Sequence, residues 1–472
     1  MTGRGSIVRN AGALVASQLV TKVLNLAVSV ALVRWLGAHE LGRYAYVLAF
    51  SFPFGAVADF GLTTLAIREI SRDRACEAVV VTTLSRLTTT LAALSVATML
   101  VLAAAVERDV AVVGAIALAG LSSVIASLTS PSLVVLTARE QMHWLSLFRI
   151  AASAVGSLLT LGVLLAGGRL IPLLLASVAT GGLMLGVARA LAGPVRVPSA
   201  VPGGAARSML RQAVPFGLLM TGFALYYRID MVMLDWLTDT RQVGLYAAAY
   251  RFPDTIIVLA ASLGGPLFPR FSSLAAGRRE EARRLLEDAW RPLLALGLPL
   301  SLGATLLAGG LTRTLFGEEF VESAGLLRLL IWGTLPLLWV NVASHALIAF
   351  DRVWSLVAVY ATSALVNIVG NLVLIPRYGS RGAALATLLC EWLNLALVIG
   401  LLRATFGVSF SPTGLWRYAL AAGGMGLAVW FLRGYGLAVE IATGALAYGG
   451  ALLALGYTRS ADHLAMRRLL AQ

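Results

Sequence analysis

"ALYYRIDMVMLDWL" (residues 224–237) is apolar enough to fill a bilayer, yet it carries Arg228 and Asp230 near its middle. A charge at the centre of a membrane helix costs about 2.5–3.5 kcal/mol on insertion scales, so each of these groups needs a partner or a task. Tyr226 and Tyr227 stand beside them. Two residues of separation is about 200° around a helix, so the two charges face different neighbours.

Outward from this stretch the same composition continues. The chain has 472 residues, 59% hydrophobic and 13% charged, against about 25% charged in soluble domains. In lipid each segment must satisfy its own backbone hydrogen bonds, which predicts an all-α polytopic membrane protein. A crossing needs about 20 apolar residues. Fourteen such stretches occur, near 10–33, 44–68, 79–106, 110–137, 144–166, 170–190, 212–237, 243–269, 291–315, 324–350, 354–376, 382–402, 414–432 and 438–457. The first is longer than the apolar region of a cleaved signal peptide and is read as a retained span. Cys76 and Cys390 lie far apart and imply no disulfide framework.

A formal net charge of +14 would suggest nucleic acid in a soluble chain. Here it reads as topology and attraction to anionic headgroups, and no nucleic-acid partner is expected. With the N-terminus inside, inner segments hold 22 basic residues and outer segments 9. This bias predicts a multi-pass protein of the cytoplasmic (inner) membrane with both termini cytoplasmic. Trp35, Trp144, Trp236, Trp290, Trp354 and Trp416 fall at predicted span ends, as interfacial belts require.

Two polar stretches stand out. "GPVRVPSAVPGGAARS" (193–208) is rich in Pro and Gly and reads as a linker. "GRREEARRLLEDAW" (277–290) sets Leu285, Leu286 and Ala289 on one side; a helix lying in the interface and a solvated connecting helix both fit. Span seven also restarts span one. "RWLGAHELGRYAY" (34–46) is echoed by "DWLTDTRQVGLYAA" (235–248), and Phe52-Pro53 by Phe252-Pro253. The expected organisation is two pseudo-symmetric six-helix lobes plus two C-terminal helices. These are an N-lobe over 1–191, a cytoplasmic linker over 192–211, a C-lobe over 212–403, and spans 13 and 14 with the C-terminus over 404–472.

In span eight, Arg251 and Asp254 are three residues apart and share a face. Counted from the intervening turn, they lie at nearly the depth of Arg228 and Asp230, so two cross-helix pairs are geometrically possible. Lys22, the only lysine, and Asp59 form a looser counterpart in the first lobe, while Arg86, Arg149 and Arg328 have no acid nearby in sequence. Such groups either lock helices together as ion pairs or face a watery interior. Because basic groups outnumber acidic ones, the second reading implies an anionic cargo. Tyr226 and Tyr227 are then candidates for contacts to a sugar. Asp59, Asp230 and Asp254 are candidates to hold a coupling ion or an arginine. No cofactor or metal is implied, and coupling to protons, Na⁺ or the membrane potential is equally compatible.

No G-x-x-x-x-G-K-[ST] phosphate loop occurs, and His39, His143, His345 and His463 are isolated. No outer segment is long enough for a catalytic domain, so an enzyme is not expected.

The order "RNAGALVASQLVTKVLNLAVSVALVRWLGAHELGRYAYV", "DFGLTTLAIREISR", "YYRIDMVML", "VGLYAAAYRFPD", "LFPRFS" and "NLVLIPRYGSRGAALAT" resembles the Wzx-type polysaccharide flippases. These belong to the multidrug/oligosaccharidyl-lipid/polysaccharide flippase superfamily. The resemblance covers nearly the whole chain; each motif is weak alone, and the order is the specific part. It implies two six-span lobes and alternating access, moving a polyprenyl-diphosphate-linked oligosaccharide from the cytoplasmic to the outer leaflet for cell-surface polysaccharide assembly. It also implies work alongside a polysaccharide polymerase or other envelope-assembly proteins. Lys22, Arg86, Arg228 and Arg251 would then meet the diphosphate. A MurJ-like lipid II flippase has a similar cargo. A MATE-like multidrug/cation antiporter often carries an acid in the first span, where this chain has Lys22 and Asn25.

Overall fold

A computed structural model describes residues 3–194, 201–265, 267–275, 277–410 and 414–456, except the side chains of 3–20, 22, 23, 258, 259 and 261–263. Lys22 and residues 195–200 of the expected linker therefore lie wholly or in their side chains outside the described set. Among the described residues all regular structure is helical. Two compact units divide the chain, residues 1–232 and 233–472.

The first unit contains α1 (Gly3–Asp59), α2 (Leu62–Arg72), α3 (Glu77–Val106), α4 (Val110–Ala138), α5 (Met142–Leu165), α6 (Leu170–Ala192) and most of α7 (Ala205–Leu237). The second contains α8 (Thr240–Gly264), α9 (Leu267–Leu274), α10 (Arg279–Phe316), α11 (Ser323–Leu330), α12 (Thr334–Ala349), α13 (Val353–Tyr378), α14 (Ser380–Phe406), α15 (Leu415–Phe431) and α16 (Leu437–Ala454). Eleven helical stretches are long and apolar enough to cross a membrane, the first of them running from Leu24 to Arg72. The whole of α1 (Gly3–Asp59) is divided by a kink at Gly37 (φ 71°, ψ 170°), so its two arms make separate crossings. With α8 and the 17-residue α15, a polytopic fold of about fourteen crossings results.

The kink follows Trp35-Leu36, and the matching Trp236-Leu237 ends α7 two residues before α8 begins. Both copies of the repeated motif thus interrupt a helix at the same point. Phe52-Pro53 and Phe252-Pro253 then fall inside α1 and α8.

Several expected spans are not continuous. The stretch 44–68 breaks at Phe60-Gly61, where both residues have positive φ (45° and 72°). Beyond the break, α2 buries Leu62, Leu65, Ala66 and Ile70 and leaves Arg68 and Arg72 exposed. The turn sits hard against α7: a Cβ on Gly61 would lie 2.7 Å from Cβ of Phe216. Span eight ends at Gly264, with α9 separate, and span ten is α11 and α12 joined through a 3₁₀ turn at Ile331–Gly333.

The basic stretch 277–290 corrects the interface-helix reading. It is the start of α10, a single 38-residue helix. Leu285, Leu286 and Ala289 are buried within the protein, so its apolar stripe meets other helices and not lipid. Trp290 packs 5.7 Å from Trp339 and 5.6 Å from Phe410, between ring centroids. It is therefore partly buried against other rings, whereas Trp35, Trp144, Trp236, Trp354 and Trp416 are exposed.

Candidate functional site

The first unit holds a cation on an aromatic platform. Arg228 is half-buried, and its guanidinium carbon lies 4.5 Å from the ring centroid of Tyr227 and 5.9 Å from that of Phe52. Phe223 also stacks on Tyr227, at 5.4 Å and 11° between planes. Phe223 and Tyr227 are one helical turn apart on α7, which brings their rings into register. A cation on the face of a ring is held by the ring quadrupole, by up to about 2 kcal/mol when desolvated. Tyr227 is buried, and so is Tyr226.

Asp230 is 1% exposed, and its Oδ1 accepts a hydrogen bond of 2.8 Å from the backbone N–H of Met231. Asp59 closes α1, where its carboxylate accepts from the Thr63 hydroxyl. Thr63 Oγ1 is in turn 2.7 Å from Ser130 Oγ on α4. Asp59 is thereby committed to the junction of α1, α2 and α4. Its expected partner, Lys22, has a side chain outside the described set. Arg86 is exposed on α3, nine residues past Glu77, or about 14 Å along the helix axis. Arg149 and Arg328 are also exposed. In the second unit, Arg251 and Asp254 share α8 and are both partly buried.

Two polar constellations were not singled out by the sequence analysis. The first is an open cavity of about 520 Å³ between α1, α4, α5 and α6. Ser122 and Thr129 of α4, Ser153, Ser157 and Thr160 of α5, and Ser177 and Thr180 of α6 line it, with Asn25 and Tyr44 of α1. Nine of its nineteen lining residues carry a hydroxyl or an amide, and none carries a formal charge. Within each helix the lining positions follow i, i+4 and i+7 spacing, as one face of a helix must. That spacing is present in the sequence as a signal; Ser and Thr in apolar spans are, however, also common packing residues.

The second constellation is a buried polar seam in the second unit. Asn371 Nδ2 donates to Asn367 Oδ1 at 2.7 Å on α13, and Tyr246 Oη lies 3.1 Å from Thr387 Oγ1 on α14. Asn367, Asn371, Glu391 and Asn394 are all buried. Their spacing of three or four residues within each helix puts them on one face.

Residues 7–275, more than half of the chain, match the family described as polysaccharide biosynthesis protein. The chain belongs to that family. Residues 215–373 of this polysaccharide biosynthesis family member also match the MatE model. Among curated proteins, the probable flippase AglR of Haloferax volcanii is 28% identical over 249 residues, 49% of this chain and 50% of that protein. The probable low-salt glycan biosynthesis flippase Agl15 of the same organism is 22% identical over 43% of this chain and 44% of its own. The chain spans about half the length of the curated relatives it matches. Among solved structures, the lipid II flippase MurJ in an inward closed conformation shares the fold with a TM-score of 0.76. The match covers 94% of this chain and 98% of that one at 15% identity.

Proposed function

We propose that this protein is a flippase for a polyprenyl-diphosphate-linked oligosaccharide, carrying it from the cytoplasmic to the outer leaflet during cell-surface polysaccharide assembly. Arg228 carries the reading. A half-buried guanidinium in a membrane-spanning helix, fixed on the rings of Tyr227 and Phe52, is a preorganised contact for an anionic headgroup. Arginine presents a planar fork that matches phosphate oxygens. The family match and the flippase names of AglR and Agl15 support the same class of cargo.

In this reading Arg228 and Arg86 meet the diphosphate, with Lys22 and Arg251 as further cations. Tyr227 acts by holding Arg228, since its ring contacts both that cation and Phe223; Tyr226 supports the same wall of α7. Asp230 and Asp254 hold arginines or a coupling ion, while Asp59 holds the junction of α1, α2 and α4 through Thr63. Both termini face the cytoplasm of the inner membrane, in keeping with the loop charge bias. The two lobes alternate access, and a polysaccharide polymerase works downstream. The MatE match over 215–373 favours a second reading, a cation or multidrug antiporter.

Proteoliposomes carrying a labelled polyprenyl-diphosphate oligosaccharide test the proposal. Wild type exposes inner-leaflet glycan to an external glycan-modifying enzyme, and a folded Arg228→Ala variant does so at a rate reduced at least about tenfold, as loss of one charge-assisted contact implies. If wild type behaves like empty liposomes under every imposed gradient while moving a lipophilic cation, the antiporter reading replaces this one.

A further inference from the structure

The hydroxyl-lined cavity of the first unit includes, among its described lining residues, none of the charged groups assigned above. We infer that it is a binding site for uncharged sugar, taking a neutral mono- or disaccharide segment of the cargo; the inference rests on the flippase reading and specifies its substrate.

Volume is the first argument. About 520 Å³ falls within the roughly 300–1,000 Å³ of small-molecule sites. Small-residue stripes usually serve to bring membrane helices together and leave no space. Here two glycines of the stripes, Gly156 and Gly181, form part of the wall of an open cavity.

The second argument is unused hydrogen-bonding capacity. Ser157 lines the cavity and is 7% exposed. Ser122 Oγ is buried and unpartnered among the described residues. Buried polar atoms in native proteins are nearly always satisfied, so such groups call for a polar occupant.

Chemistry then selects the class. A serine or threonine hydroxyl rotates to donate or accept, which suits sugar hydroxyls that do both. Phe148 and Tyr44 add apolar ring surface for the C–H face of a pyranose. None of the described lining residues carries a formal charge, so a uronate or phosphorylated sugar would be desolvated among them without a counter-charge, which is strongly unfavourable. The site therefore discriminates against charged sugars.

The test uses detergent-purified full-length protein and tritiated cellobiose, lactose and mannobiose, with cellobiouronic acid as the charged counterpart. Two variants alter the cavity in opposite ways. Gly156→Val fills it: the new Cβ itself is tolerated, 3.5 Å from Thr180 Cγ2, and the added methyls take cavity space. Ser153→Ala/Ser157→Ala/Ser177→Ala keeps the volume and removes the hydroxyls. Monodispersity and thermal melting establish that each is folded. Wild type is expected to bind at least one neutral disaccharide saturably and the uronic acid at least about tenfold more weakly, and both variants are expected to lose about tenfold in affinity. Absence of saturable neutral-sugar binding, or equal binding by wild type and both variants, overturns the assignment.

A second arm measures flipping of a neutral lipid-linked glycan. If both variants flip it at the wild-type rate, the cavity assignment falls and the flippase reading stands. If wild type binds sugar but flips no lipid-linked glycan, the flippase reading falls and the sugar site stands alone.

Discussion

Arg139, one residue beyond α4, grips Glu77 at the start of α3 through two hydrogen bonds, Nε to Oε2 at 3.1 Å and Nη2 to Oε1 at 2.5 Å. Its remaining nitrogen donates to the Ala192 carbonyl at the end of α6, at 3.2 Å. One guanidinium thus ties three helix ends at one end of the first unit, and the hydrogen bond it donates to Glu77 raises its pKa. Arg139→Ala is expected to destabilise the protein by about 1–3 kcal/mol, because it strips a partly buried carboxylate and a helix-terminal carbonyl together. Arg139→Lys recovers only part of this, since an ammonium lacks the fork. Thermal melting of both variants and of the Glu77→Ala/Arg139→Ala double variant checks the coupling; additive effects would exclude it.

At the Phe60-Gly61 turn the relevant quantity is space. Gly61 has φ 72°, and a Cβ there would lie 2.7 Å from Phe216 Cβ. Gly61→Ala therefore combines left-handed strain of about 1–2 kcal/mol with a clash of about 1–3 kcal/mol. Gly55, where a Cβ would lie 3.8 Å from Ser123 Oγ, accepts alanine. Folded yield and melting temperature should fall sharply for the first variant and stay unchanged for the second.

The platform under Arg228 makes the identity of its neighbour's ring matter more than the phenol. Tyr227→Phe keeps the face and is expected to flip cargo at close to the wild-type rate. Tyr227→Leu removes the ring and should lower the initial rate by roughly 2- to 30-fold, the equivalent of about 0.5–2 kcal/mol of cation–π attraction. Equal rates for the two variants would show that the ring does not position the cation.

A pH dependence is expected from Glu322, hydrogen-bonded to Arg241 at 3.0 and 3.3 Å. The Arg241 guanidinium holds its carboxyl below the ordinary carboxylate range. A carboxylate with a lowered folded pKa stabilises fully above its unfolded value, near 4.5. That contribution is lost as pH falls through the lower folded value. Both side chains are substantially exposed, at 48% and 66%, so screening limits the effect to about 0–1 kcal/mol. The melting difference between wild type and Glu322→Gln should be small and constant from pH 8 to pH 6, and vanish below the folded pKa. A difference that grows on acidification would reverse the sign.

By itself the amino-acid sequence determined that this is a helical protein of about fourteen membrane crossings, and where the helices turn around at Trp35 and Trp236. Those features follow from the transfer of each residue between water and lipid, which is a local and nearly additive property. It also singled out Arg228 and Asp230, because an intramembrane charge is rare enough to be noticed without a neighbour. The tertiary structure decided everything that depends on what stands opposite. Leu285 and Leu286 face protein although their stripe would suit a membrane surface equally well. Asp59 is engaged by Thr63, a partner four residues away across a break that only close packing of Gly61 on Phe216 explains. Ser153, Ser157 and Thr160 were readable as one face of a helix; whether such a face closes against another helix or encloses space is set by the volumes of four helices meeting together, and no single segment contains that quantity.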